Sequence, residues 1–103
     1  GALLGPSDVV CVDTGDVTLW ASLCLCLARG TVTLSSERLG TMGYALCAAI
    51  AASLQRGPEA RAIVIVGDGG FQMTCNELAT AVQVSSPRPP HPPAAHRTLP
   101  TPP

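Results

Sequence analysis

The residues with the clearest chemical content are Gly67-Asp68-Gly69-Gly70, which close the apolar run at 62–66 in "AIVIVGDGGFQMTCNELATA". A carboxylate just past a buried strand faces a ligand crevice and not the core. The three glycines permit positive φ and let backbone N–H groups come close to an anion. A helix that follows would aim its N-terminal partial positive charge at the same place, a common way to hold phosphate. Asp68 would repel such an anion unless a cation stood between them, and magnesium usually takes one or two carboxylates plus phosphate oxygens. The physical reading is a divalent ion bridging Asp68 to a diphosphate. The competing reading is a tight strand–helix turn in which Asp68 caps the helix, since Gly and Asp are favoured turn residues. The four residues alone do not choose.

The elements that must position them follow from the apolar pattern. Short β-branched or apolar runs at 9–12 ("VVCV"), 31–34 ("TVTL") and 62–66 ("AIVIV") suit strands buried on both faces. Between them, "DVTLWASLCLCLARG" offers Asp16 as an N-cap and Gly30 as a stop, and "YALCAAIAASLQRG" is an Ala-rich helix closed by Gly57-Pro58. A third helix is expected from Thr74 or Cys75 to Val82, with Asn76 and Glu77 in its first turn. Strands alternating with helices at this spacing predict an α/β fold, a three-layer parallel sheet with helices on both faces. In such sheets ligands bind at the carboxyl ends of the strands, where both "DTGD" and "GDGG" fall.

Composition bounds the possibilities. The chain has 103 residues, and residues 85–103 hold eight of its ten prolines. Proline cannot sit in a central strand, so 85–103 read as a disordered Pro-rich tail and 1–84 as the folding unit. Sequence from an intron or a shifted frame after Gln83 or Val84 would look similar; a genuine interaction tail is the alternative. The net charge is −1, with no Lys and no basic block, which gives nucleic-acid binding no electrostatic support. The N-terminus lacks a basic n-region, and the longest apolar runs (17–28 and 42–54) are too short to span a membrane. The five cysteines (Cys11, Cys24, Cys26, Cys47, Cys75) lie in apolar stretches and read as core thiols in a reducing, cytoplasmic setting.

"SERLGTMGYAL…AAIAAS" followed by "AIVIVGDGGFQMTCNELATA", with "DTGDVTLWAS" at the first strand end, resembles the diphosphate-binding domain of thiamine-diphosphate enzymes. The likeness is closest to the acetolactate synthase, pyruvate oxidase and pyruvate decarboxylase group, and it covers residues 8–83. It implies the first half of a thiamine-diphosphate-binding domain, with thiamine diphosphate and Mg²⁺ as cofactors. By position, Asp68 matches the family's metal ligand, and Gly67, Gly69 and Gly70 its diphosphate loop. Gly40, Thr41 and Met42 match the loop that grips the aminopyrimidine ring. There the Gly40 carbonyl would accept from the 4′-amino group, and the Met42 N–H would donate to a ring nitrogen. The Met42 side chain would be the apolar wedge that bends the cofactor; ordinary core filling is the other reading. Asp13, Thr14 and Gly15 match the first strand-end loop lining the cofactor cleft, against a loop that merely caps the following helix.

The family's second metal ligand, an Asn about two dozen residues past the GDG, would fall near residues 94–97, where the sequence reads "AAHR". The glutamate that activates the cofactor comes, in the family, from a pyrimidine-binding domain, usually of another subunit in a homo-oligomer. Neither Glu37 nor Glu77 matches that role: Glu37 reads as a solvated loop residue and Glu77 as a first-turn acid favouring the helix dipole. The resemblance therefore implies the cofactor-binding portion of a 2-oxo-acid decarboxylase or acetolactate-synthase-like enzyme. The alternatives are a catalytically inactive truncated fragment, or an interaction module that pairs with a full-length relative.

Overall fold

The structure, a computed structural model, describes residues 4–27 and 29–85. The chain runs β1 (Val9–Val12), α1 (Asp16–Cys24), β2 (Val32–Ser35), α2 (Tyr44–Arg56), β3 (Ala62–Ile65), α3 (Asp68–Thr74), a single 3₁₀ turn (Cys75–Glu77) and α4 (Leu78–Ser85). The three strands are parallel in the order β2-β1-β3. The crossover from β1 to β2 and the crossover from β2 past β1 to β3 run in opposite directions across the sheet, so their right-handedness puts α1 and α2 on opposite faces. The expected α/β architecture is present. Among the described residues no helix is long and apolar enough to cross a membrane.

Register and alternation decide which residues meet which helix. Val9 lies opposite Val32 and Ala62, and Cys11 opposite Leu34 and Val64, forming two rows across the sheet. Both rows pack on Ala45, Ala49 and Ala52 of α2. Alanines at that spacing form a stripe without bulk and let the helix lie close to the strands. On the other face, Val12 lines a groove with Thr18, Ala21 and Ser22 of α1 and with Leu25 and Leu27 beyond it. Every residue of β1 is buried, and each buried valine contributes roughly 1.5–3 kcal/mol by area. The central strand is the thermodynamic anchor.

Four expectations are corrected. Helix α1 ends at Cys24, well before Gly30, because "LCLCL" alternates with the period of two that suits extended chain: Leu25 and Leu27 turn inward and Cys26 outward. Its cap position is Gly15, with Asp16 as the first helical residue. The third helical segment begins at Asp68 and not at Thr74 or Cys75, although Gly69 and Gly70 are poor helix formers. Of the five cysteines only Cys11 is buried, and desolvation raises its thiol above the usual range; the other four are exposed. The Pro-rich tail and residues 94–97 lie outside the described residues, and α4 runs to Ser85.

The amino end of the sheet is closed by one ion pair. The Asp8 side chain is 3% exposed, and its Oδ2 lies 2.6 Å from Nη2 of Arg61. It also accepts from the backbone N–H groups of Gly5 (2.8 Å) and Arg61 (3.0 Å), which ties β1 to the start of β3. The Arg61 side chain, followed by these two N–H groups, holds the Asp8 carboxyl well below the usual carboxylate range. A group whose pKa falls on folding stabilises fully above its unfolded value and loses that contribution as pH drops through the folded value. Asp8→Asn is therefore expected to lower the urea midpoint at pH 7, with the gap to the parent narrowing below about pH 4. Chemical denaturation over a pH series checks this; a pH-independent gap would remove the charge from the account.

Candidate functional site

Because the sheet is parallel, the segments that leave its carboxyl end share one edge of the molecule. Residues 13–15 follow β1 in the centre, 36–43 follow β2 on one side, and 67–70 follow β3 on the other. The connections of β1 and β3 diverge here, creating the type of crevice that binds ligands in open α/β sheets. On the β2 side of this edge Asp13, Thr14, Gly15, Ser35, Ser36 and Gly40 line a cleft of about 360 Å³, and residues 67–70 do not line it.

Asp13 occupies the centre of the arrangement. It is 1% exposed, and its carboxylate accepts from the N–H groups of Gly43 (2.8 Å) and Ala45 (3.3 Å). Gly43, at φ 83°, begins α2 and has no side chain to cap it. Asp13 caps the helix from another strand end, with its charge at the positive pole of the helix dipole. The Gly43 carbonyl in turn accepts from Oγ1 of Thr74 at 3.2 Å. Gly70 packs directly beneath: a Cβ there would lie 3.1 Å from Cγ2 of Val66 and 3.2 Å from Cγ of Asp13, with a carboxylate oxygen closer still.

The 67–70 segment presents donors and an acid. Gly67 is extended (φ −76°, ψ 164°), and the Phe71 N–H makes the first turn's bond to its carbonyl at 2.9 Å. The N–H groups of Asp68, Gly69 and Gly70 therefore have no intrahelical acceptor. The strand–helix turn of the alternative reading is present, but Asp68 is exposed, the cap position is Gly67, and no side chain caps α3. Met42 is 42% exposed, and its Cε lies 3.3 Å from where a Gly69 Cβ would be. It lies against Gly69 and is not a core filler.

The 36–43 loop is shaped by a residue that the sequence reading passed over. The Gly40 N–H bonds to the Ser36 carbonyl at 2.7 Å, and the Thr41 N–H to Oγ of Ser36 at 3.3 Å. Gly40 adopts φ 65° and faces Cγ2 of Thr14. The structure thus brings together Asp13, Thr14, Gly15, Gly40 and Met42 with Gly67, Asp68, Gly69 and Gly70; Thr41, between Gly40 and Met42, is exposed. Thr74 was also missed as a contributor, because its partner Gly43 is 31 positions away and no local pattern signals the contact. Glu37 is exposed on the cleft rim, accepting from Oγ of Ser35 at 3.0 Å. Glu77 accepts from Oγ1 of Thr80 at 2.8 Å, at the start of α4.

The sequence model described as "Thiamine pyrophosphate enzyme, C-terminal TPP binding domain" matches residues 13–87. The chain belongs to this family. It is 40% identical over 87 residues to an acetolactate synthase of Mycobacterium leprae, covering 84% of this chain and 14% of that protein. It is also 40% identical to the acetolactate synthase large subunit of Corynebacterium glutamicum (76% of this chain, 12% of that protein). The acetolactate synthase isozyme 2 large subunit of Escherichia coli is 40% identical too (73% and 14%). The chain therefore spans about one-seventh of the length of these relatives. No solved structure matches. The three segments at the carboxyl edge are those on which the thiamine-diphosphate likeness rests, and they form one contiguous surface of the domain.

Gly70→Ala is expected to destabilise the domain by roughly 1–3 kcal/mol through overpacking on Asp13 and Val66. Gly67→Ala, whose nearest contact would be Cγ1 of Val17 at 3.9 Å, should stay within about 0.5–1 kcal/mol of the parent. Urea denaturation of both variants measures the difference.

Proposed function

We propose that this chain supplies the thiamine-diphosphate- and Mg²⁺-binding portion of a 2-oxo-acid decarboxylase or acetolactate-synthase-like enzyme. The observation that carries the reading is the exposed Asp68 carboxylate beside three N–H groups without intrahelical acceptors, with Met42 lying over Gly69. An anion with its own counter-cation fits that combination: N–H groups for the anion, a carboxylate for the cation.

In this reading Asp68 holds Mg²⁺, while Gly69 and Gly70 donate N–H groups to the diphosphate. Gly67, extended and without a side chain, keeps the entry open. Among the described residues no group of three or more His, Cys, Asp and Glu could hold a metal alone. The cation would then take most of its ligands from phosphate oxygens and water, which suits magnesium. Met42 supplies an adaptable apolar wedge against the cofactor's middle. The Gly40 carbonyl and Met42 N–H meet the aminopyrimidine ring, Thr41 follows in the same loop, and Asp13, Thr14 and Gly15 line the cleft beneath. When bound, the cofactor supplies the electron sink for decarboxylation of a pyruvate-like 2-oxo acid. The part of these residues is to bind, orient and bend it. Activity would further need a pyrimidine-binding domain from another chain, as in a homo-oligomer.

A second reading, an inactive piece that pairs with a full-length relative, draws on the outer face of α1. There Leu19, Trp20 and Leu23 are 60%, 63% and 70% exposed. Apolar residues grouped in this way mark interaction surfaces.

Calorimetric titration with thiamine diphosphate and Mg²⁺ tests the first reading. Saturable binding should vanish with EDTA and weaken by about 100-fold or more in Asp68→Ala. That variant should keep its thermal midpoint, since an exposed first-turn acid contributes only about 0.3–1 kcal/mol. A folded chain that shows no binding would leave the pairing reading.

A further inference from the structure

Resting on the cofactor-binding reading above, we infer that Asp13 does not touch the ligand but acts as a positioning residue that fixes the spacing between the 40–43 and 67–70 segments. Its carboxylate is committed on both oxygens: Oδ2 to the Gly43 N–H and Oδ1 to the Ala45 N–H. At 1% exposure the carboxylate is enclosed, so what Asp13 lends to the cleft lining is its place at the end of β1 and not a free oxygen. The same carboxylate forms the floor on which Gly70 rests. One rigid group at the end of the central strand therefore touches the segment on its left through hydrogen bonds and the segment on its right through packing.

Thr74 closes the circuit. It ends α3, the helix that Asp68 opens, and its hydroxyl donates to the Gly43 carbonyl at 3.2 Å. Its Cγ2 lies 2.7 Å from where a Gly43 Cβ would be. Gly43 is thus held by N–H on Asp13 and by C=O on Thr74, with the Gly70 carbonyl 3.4 Å from its Cβ position. The two segments cannot shift independently without breaking a buried hydrogen bond or opening the Asp13–Gly70 contact. A ligand that bridges both segments benefits from fixed spacing, because the geometry is set before it binds. A ligand that touches only the 67–70 segment gains much less.

That asymmetry gives the test. The 103-residue chain and its Asp13→Asn, Thr74→Val and Thr74→Ser variants are titrated with thiamine diphosphate and, separately, with inorganic pyrophosphate, both with Mg²⁺. Asn places an N–H₂ against one of two backbone donors, so Asp13→Asn should weaken thiamine diphosphate about 10-fold or more and pyrophosphate less than about 3-fold. Thr74→Val should weaken thiamine diphosphate about 3- to 10-fold, and Thr74→Ser, which keeps the hydroxyl, should restore it. Equal weakening of both ligands would reduce Asp13 to a folding role and overturn the inference. Tighter pyrophosphate binding in Asp13→Asn would show a carboxylate facing the anion, and would also overturn it. If the parent binds neither ligand, the cofactor reading fails, and amide hydrogen exchange decides the spacing claim separately. Faster exchange in Asp13→Asn at both 40–43 and 69–70 sustains it, and a change confined to one segment overturns it.

Discussion

The carboxylate of Asp13 stands where the central strand, the start of α2 and the first turn of α3 meet. A buried, ionised acid costs several kcal/mol unless its lone pairs are satisfied. Among the described residues no basic side chain is hydrogen-bonded to it. Two backbone donors at the positive end of α2 do so, and they are donors that the helix must satisfy in any case. The constraint is mutual, since α2 begins where it does because Asp13 reaches Gly43. Gly70 must lack a side chain because Asp13 already fills the space. That contact sets how closely the 67–70 segment approaches the end of β1.

The two ends of β1 solve the same electrostatic problem in different ways. At the amino end Asp8 is answered by the guanidinium of Arg61, a partner from outside the sheet that stays 64% exposed. At the carboxyl end a charged side-chain partner would fill the crevice, and a helix terminus takes its place. The edge that carries the candidate site thus keeps an open cleft. The opposite edge is tied shut by an ion pair between the starts of β1 and β3.

Much of this was legible in the chain itself. The apolar runs at 9–12 and 62–66 and the Ala-rich stretch before Gly57 gave the strands and α2 to within a residue, because burial on both faces and a small-residue stripe leave local marks. The site residues were legible as types: an acid between glycines, a Gly-Thr-Met turn, an Asp-Thr-Gly turn. Helix α1 was drawn too long because its last apolar residues switch from helical to alternating spacing without a breaker. The start of α3 was missed because Gly69 and Gly70 argue locally against helix. Packing under α2 and Asp13 outweighs their propensity. The cysteines at 24, 26, 47 and 75 are exposed because an apolar neighbourhood in sequence does not say which side of a helix or an extended segment a residue takes.

The sequence by itself determined the alternation of strands and helices and the membership in the thiamine-diphosphate enzyme family. Only the tertiary structure decided that Asp13 turns inward to hold α2, that Met42 lies over Gly69, and that Thr74 reaches Gly43. Those contacts join residues about 30 positions apart. No local period encodes them; they exist because parallel crossovers bring the ends of three strands to one edge.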